Sequence, residues 1–319
     1  MDAQRIIIIG GTGFIGSHLT HRLADLGHRV TVVTRRPERH REYRIGSRVE
    51  LAQVDPYDAD KLAALFADGD CVINLVGLLN EEGASTFSRA HVDLPRAVVK
   101  AMRESGVSRL LHMSALNADV NEVRGRYLKT KGEGENLVHQ SPGVVVTSFR
   151  PSVVFGPGDS FFRRFAGLLS MLPAPVFPLA CADARLTPVF VGDVVDAFVY
   201  ALDNKHTIGQ RLELCGPHVY TLKQLVEFTA GLVGKRTTVV GLPDFAARIQ
   251  AHIMGLLPGK PFSIDNYYSL KKDSVCTQPA FPAMGINPRS IEAIVPTYLG
   301  SASSRARYYD YRSRSRRAP

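Results

Sequence analysis

The sequence predicts an α/β protein, with a doubly wound parallel sheet followed by a smaller C-terminal lobe. Three observations carry that prediction. Apolar strand patterns and amphipathic helical patterns alternate through residues 5–149, the order that builds βαβ units with right-handed crossovers. The first strand, Arg5-Ile6-Ile7-Ile8-Ile9, is a continuous apolar run, as expected of a strand buried on both faces. After Arg150-Pro151 the pattern becomes irregular and rich in proline, which marks a change of architecture.

Taken in order, strands are expected at 5–9, 29–34, 49–54, 71–76, 108–113 and 144–149, with helices near 14–26, 58–67, 86–105 and 125–140. Residues 187–191 (strand), 191–203 (helix) and 210–214 (strand) are expected to rejoin the sheet. Residues 1–150 then form the first domain, while 151–186 and 216–300 build a lobe over the carboxyl ends of the strands, where ligands bind in such sheets. Phe165 to Ala182 contains eighteen residues without a charge, but Pro173, Pro175 and Pro178 break any helix there, so a loop or short helix is expected rather than a membrane span. Residues 245–257 (FAARIQAHIMGLL) read as a helix with a broad apolar face, assigned to core packing over membrane contact.

The 319 residues are 45% hydrophobic and 22% charged, an ordinary globular balance. Cys71, Cys181, Cys215 and Cys276 lie far apart without paired spacing. That argues against a disulfide framework or a zinc site, and no metal ligands are assigned. A strand beginning by residue 5 leads us to expect no signal or transit peptide and a cytoplasmic, bacterial setting. The net charge of +9 is concentrated at the end: residues 301–319 hold six arginines against Asp310. Such a tail of Ser, Tyr and Arg reads as disordered and suited to an anionic surface such as lipid headgroups, or else as a solubilising tail. No nucleic-acid motif is present, so nucleic acid is not expected as a partner.

The strand at 5–9 runs into Gly10-Gly11-Thr12-Gly13-Phe14-Ile15-Gly16, and a helix follows. Glycines at 10, 13 and 16 permit a tight turn, close approach of backbone N–H groups to a pyrophosphate, and close packing. The pyrophosphate would sit at a helix N-terminus, where orphan N–H groups and the dipole favour negative charge. Strand before and helix after is the context this motif needs, so dinucleotide binding is expected through Gly10, Thr12, Gly13, Phe14, Ile15 and Gly16. About twenty residues on, where an acid would bind a ribose hydroxyl, stands Thr34-Arg35-Arg36. Arginine pairs with a phosphate on that ribose, so NADP(H) is expected over NAD(H). Arg39, Arg41, Arg44 and Arg48 add positive potential, and Glu38 and Glu42 partly offset it. Asp55 is placed to reach the adenine amino group, and Leu75-Val76-Gly77 to line the adenosine side.

A second group is Ser114, Tyr127 and Lys131. Ser114 ends the strand Leu110-Leu111-His112-Met113, and Tyr127 and Lys131, four apart, share a helix face. A lysine ammonium near a phenol lowers its pKa. Tyr127 could then trade a proton with a carbonyl or alcohol while Ser114 holds the same oxygen. Asp193 is expected to cap the helix that follows it.

These residues resemble the short-chain dehydrogenase/reductase superfamily, of the extended or atypical kind. Further runs narrow the resemblance: Arg126-Tyr127-Leu128-Lys129-Thr130-Lys131 with Gly134-Glu135, then Arg150-Pro151-Ser152-Val153-Val154-Phe155-Gly156-Pro157-Gly158-Asp159, and Thr187-Pro188-Val189-Phe190-Val191-Gly192-Asp193-Val194. Over residues 5 to about 300 they look like the dehydrogenase-like accessory subunit of respiratory complex I and its bacterial relatives. The resemblance implies a Rossmann-type domain holding NADPH, with Pro151 and Val154 among the cofactor contacts and the 155–159 loop positioning the nicotinamide end. It also implies a stabilising part near the quinone site, or a link to ubiquinone synthesis. One departure is Ala90-His91-Val92-Asp93, where the superfamily commonly has an asparagine that relays protons. His91 is read as a packed core histidine rather than a substitute relay.

Two functions follow. The favoured one is an NADP(H)-binding accessory protein of the quinone-linked respiratory system, peripheral at the inner face of the membrane, with complex I or quinone-biosynthesis proteins as partners. The competing one is an active reductase, epimerase or dehydratase on a quinone precursor or nucleotide-sugar-like substrate. A weaker third is a redox-sensing regulator.

Overall fold

A computed structural model describes residues 3–40, 43, 48–171, 175–257 and 259–299. Arg41, Glu42, Arg44, Pro173 and the arginine-rich tail lie outside the described residues. The chain forms two compact units, one made of Met1–Arg150 with Val194–Glu213, the other of Pro151–Asp193 and the stretch from Leu214 on.

The first unit is laid down in the expected alternation. It runs β1 (Arg5–Ile9), α1 (Phe14–Asp25), β2 (Arg29–Thr34), β3 (Val49–Gln53), α2 (Ala59–Phe66), β4 (Cys71–Asn74), α3 (Leu94–Ser105), β5 (Arg109–Met113), α4 (Arg126–His139) and β6 (Val145–Pro151). The pairings β1–β2, β2–β3, β1–β4, β4–β5 and β5–β6 are parallel. Strand order reverses at β1, which sits between β4 and β2, and the crevice at such a reversal is where open α/β sheets bind ligands. Ile6 to Ile9 are at most 1% exposed, which is why this strand is apolar on both faces. Leu62 and Phe66 of α2 and Leu94, Val98 and Met102 of α3 pack with Ile7, Ile9 and Val72 in one continuous core.

The second unit contributes β7 (Val154–Phe155), α5 (Phe161–Met171), β8 (Val176–Leu179), β9 (Arg185–Leu186) and β10 (Val189–Phe190). The chain then passes through α6 (Val191–Asp203) and β11 (Arg211–Leu214), the latter forming the edge of the seven-stranded sheet beside β6. After it come β12 (Tyr220–Thr221), α7 (Leu222–Leu232), β13 (Thr238–Gly241), α8 (Asp244–Leu256) and α9 (Ile264–Leu270). Phe155, Phe162, Leu225, Val226, Ile291 and Val295 form this unit's core. Residues 187–190 do not return to the main sheet as expected. β10 pairs instead with β7 in a separate two-stranded sheet, because two residues give too little ladder to extend a seven-stranded one.

Two further expectations are corrected here. Cys215 and Cys276 form a disulfide, with Cα atoms 6.0 Å apart across 61 residues of sequence. Wide spacing in the chain says nothing about distance once Ser274 has bridged back to Leu186 beside β9. The helix at 245–257 does not pack its bulky face inward. Ala247 and Ala251 are the buried side, while Phe245, Ile249 and Ile253 are 55–69% exposed. Among the described residues no helix is long and apolar enough to cross a membrane.

Candidate nucleotide-binding and active site

The chain leaves β1 at Gly10, whose φ of +86° suits glycine, and a Cβ there would press on Val76 N at 3.1 Å. Gly16 is confined more severely: a Cβ would fall 2.1 Å from the Gly10 carbonyl oxygen. The turn is closed by the Gly13 amide donating to the Gly10 carbonyl at 3.0 Å. α1 then starts with no side chain capping it and no acid in its first turn. Its first N–H groups and the positive end of its dipole are thus left for an anion. Gly13 is exposed and Thr12, Phe14 and Ile15 are half-buried around it. A cradle that any Cβ would fill, backed by an uncapped helix start, fits the pyrophosphate of a dinucleotide.

Arg35 and Arg36 follow β2 and are exposed, with the Arg36 amide turned back onto Thr34 Oγ1 at 3.2 Å. Asp55 lies two residues past β3, also exposed, and its Oδ1 accepts from the Tyr57 amide at 3.2 Å. The Leu75 amide continues the β1 ladder by donating to Ile9 at 2.9 Å, so Leu75-Val76-Gly77 emerge beside the glycine turn. Tyr43 was missed in the sequence. Its hydroxyl donates to the Gly11 carbonyl at 3.1 Å and its ring stacks on His21, tying a residue 32 positions away to the turn. A lone tyrosine among arginines gives no sequence signal for this.

Beneath β5 and α4 lies a polar floor made of side chains. Ser114 is 3% exposed, its amide held by the Phe149 carbonyl at 2.8 Å. Lys131 is buried. Its ammonium donates to the Met113 carbonyl at 3.1 Å, and a Cβ on Gly77 would lie 3.3 Å from it. α4 therefore carries Lys131 to the ends of both β4 and β5. Burial pulls the Lys131 pKa down to about 8, against the opposing pull of Glu135. Glu135, one turn further along the same face, is fully buried. It accepts from Arg150 Nε and Nη2 and from Arg211 Nε. Burial raises its pKa, but the hydrogen bonds from Arg150 and the charges of Arg150 and Arg211 outweigh that and leave it low. The sequence reading noted Glu135 only within a run. Its i+4 spacing from Lys131 was the available signal.

Tyr127 departs from expectation. Burial pushes its phenol up to about 12, with no lowering from Lys131. The ammonium that was expected to stabilise a phenolate is directed at the Met113 carbonyl, with Glu135 as its charge partner. Tyr127 packs edge-on against Phe87 and His91. His91, on a π-helical segment Arg89–Asp93 that precedes α3, accepts from the Leu78 amide through Nε2 at 3.1 Å. Its proton therefore sits on Nδ1, 2.9 Å from Thr130 Oγ1. Thr130 in turn donates to backbone carbonyls of α4. Burial and Lys131 push the His91 pKa down to about 2, so the ring stays neutral with both nitrogens engaged. His112, given no role from sequence, sits 3.4 Å from Asn74 Nδ2 and is pushed down to about 3, mainly by burial.

In the second unit, Pro151 ends β6 and Val154 pairs with Val189 across β7–β10. The Gly156-Pro157-Gly158 turn is closed by the Asp159 carboxylate accepting from the Gly156 amide at 3.1 Å and by the Tyr298 hydroxyl donating to that carboxylate. Asp193 is 1% exposed and accepts from Arg289 N and Nε, both at 2.7 Å, which fastens the 289 loop to the start of α6. No cluster that could hold a metal ion occurs among the described residues.

The glycine turn lies at the sheet's reversal point, with buried Ser114 and Lys131 and half-buried Tyr127 at the ends of β5 and on α4. The model of the NAD dependent epimerase/dehydratase family covers residues 6–215. The chain belongs to that family. Its members bind NAD(P). Among individual proteins, the chain is 28% identical over 294 residues to NADH dehydrogenase (ubiquinone) 1 alpha subcomplex subunit 9, mitochondrial, of Rattus norvegicus, spanning 89% of this chain and 77% of that one. It is 28% identical over 247 residues to a ceramide reductase of Caulobacter vibrioides, spanning 76% of this chain and 75% of that protein. Its fold is similar to that of MoeE5 solved with UDP-glucose and NAD, with a TM-score of 0.70 at 19% identity, covering 98% and 99% of the two chains. That last likeness concerns the fold alone.

Proposed function

We propose that this protein is an NADP(H)-binding, dehydrogenase-like accessory subunit of a quinone-linked respiratory complex of the complex I type, peripheral at the inner face of a bacterial membrane. The observation that carries the reading is a contrast within one site. The glycine turn is built to hold a dinucleotide, whereas Tyr127 keeps its proton up to about pH 12 and His91 beside it is fixed neutral. Such a site is better equipped to hold a nucleotide than to trade protons. The similarity to subunit 9 over 89% of the chain supports the same reading.

In this reading the amides at Phe14 and Ile15 bind the pyrophosphate over the turn that Gly13 closes, and Arg35 with Arg36 takes the 2′-phosphate that distinguishes NADP. Asp55 and Leu75-Val76-Gly77 flank the adenosine, and Ser114, Tyr127 and Lys131, with Pro151 and Val154, serve the nicotinamide end. A bound nicotinamide supplies hydride chemistry. Lys131, near pH 8 on the edge of its own titration, orients the end of β5 through the Met113 carbonyl.

A second reading, an active reductase, epimerase or dehydratase, is favoured by the intact Ser114, Tyr127 and Lys131 and by the similarity to a ceramide reductase. Affinity purification in mild detergent from native membranes separates the two. Stoichiometric complex I subunits are the expected result. A lone protein whose turnover on an alcohol or carbonyl substrate collapses in Tyr127→Phe would establish the enzyme instead. For the accessory subunit, Tyr127→Phe should retain NADPH within about threefold of wild type by calorimetry, because the phenol adds only one hydrogen bond to the nucleotide.

A further inference from the structure

Twelve large apolar side chains stand well exposed among the described residues, and five of them fall within α8 or at its end: Phe245, Ile249, Ile253, Leu256 and Leu257. Their distribution is not scatter. Positions 245, 249, 253 and 256 follow the i, i+4, i+8, i+11 spacing of a single helix stripe, and Leu256 is 87% exposed. The inward side is made of alanines, Ala247 and Ala251, which lie with Tyr267 in a small core of their own. A surface helix of a globular protein normally has the reverse arrangement. Small residues inside let α8 sit close to α9, while its bulky residues project outward. Val240 of β13 and Val176 of β8, on the parallel pair that leads into α8, are each 45% exposed as well.

The charges of the stretch that holds this stripe are mostly positive. Between Lys235 and Lys272 the chain has six Lys/Arg and only two Asp. One of the two, Asp244, is neutralised locally by Arg248 and Lys271 and accepts from the Tyr267 hydroxyl. Lys235 and Arg236 are exposed on the approach to β13. Within the stripe itself, from Phe245 to Leu257, no acidic residue occurs. An exposed apolar stripe without an acid, in a stretch with an excess of cations, matches a surface that is apolar beneath and anionic above, which is the acyl–headgroup boundary of an anionic bilayer.

We propose that α8 is a monotopic membrane-binding helix, lying in the plane of an anionic lipid surface with Phe245, Ile249, Ile253 and Leu256 in the acyl boundary. This assigns membrane contact to a folded element in the second unit, independent of the arginine-rich tail and of the accessory-subunit reading. The chain has no tryptophan, so a single Trp reports on the stripe without background. In the full-length protein, emission of Phe245→Trp should shift to the blue with phosphatidylcholine/phosphatidylglycerol vesicles. Lipids brominated near the headgroup should quench it, and pure phosphatidylcholine should have little effect. The triple variant Phe245→Ser/Ile249→Ser/Ile253→Ser, which retains the tail, should bind those anionic vesicles at least tenfold more weakly by co-sedimentation. It should also keep its circular dichroism spectrum and NADPH affinity, since all three positions are exposed. Unchanged Trp emission with anionic vesicles would overturn the proposal, as would a triple variant that binds like wild type. A wild-type dimer by light scattering that the triple variant dissolves, without vesicle binding, would assign the stripe to a second copy of this chain.

Discussion

The glycine turn between β1 and α1 and the polar floor under β5 and α4 belong to one unit but are built from opposite materials. The turn is almost entirely backbone: its shape depends on atoms that are absent, and the groups it offers a ligand are amides that no titration alters. The floor is almost entirely side chains: His91, His112, Lys131 and Glu135 are each at most 4% exposed. Its properties depend on which of them are charged. The lesson is that nucleotide holding here should be insensitive to pH and intolerant of volume, and the floor the reverse.

The hardest way to break the turn is Gly16→Val. With a Cβ already 2.1 Å from the Gly10 oxygen, the variant should lose NADPH binding by more than a hundredfold and destabilise the fold by about 4 kcal/mol or more. Calorimetry and urea unfolding would read both effects.

Acid should act on the floor instead. His91 and His112 are held near 2 and 3 in the folded state against an ordinary 6.5. The unfolded chain therefore binds more protons below pH 6.5, and stability falls as pH drops through that value. At pH 5 each histidine should cost about 2 kcal/mol relative to pH 7. His91→Gln should flatten part of that slope in denaturant titrations at the two pH values.

Glu135→Gln comes next in size. It would leave Arg150 and Arg211, only a quarter to a third exposed, facing an amide, and should cost about 3 kcal/mol in urea unfolding at pH 7. NADPH affinity should change much less. The smallest effect sharpens the cofactor reading: Arg35→Ala should weaken NADPH by about tenfold and leave NADH unchanged, because the loss is one exposed charge-assisted contact. Equal binding of the two nucleotides by the wild type would remove the preference altogether.

Much of the first unit was legible in the chain because its signals are local. Ile6 to Ile9, the glycines at 10, 13 and 16, and the helix at 126–139 are set by neighbours in sequence. Expected and observed boundaries there differ by about two residues or fewer, apart from α3, whose first turns are π-helical and irregular. The failures share a cause. Cys215 and Cys276, Tyr43 with Gly11, and Glu135 with Arg150 and Arg211 are partners separated by 15 to 76 residues. The α8 stripe failed differently. Periodicity located the apolar face of the helix correctly but could not tell which face the rest of the protein would cover.

By itself, then, the sequence determined the alternating α/β order, the parallel sheet and the glycine turn, since propensity, hydrophobic period and glycine stereochemistry act within a few residues. Tertiary structure alone decided which proton carriers are silenced, which cysteines meet and which apolar face stays outside. Burial and long-range proximity set pKa, pairing and exposure, and neither exists until the chain has folded.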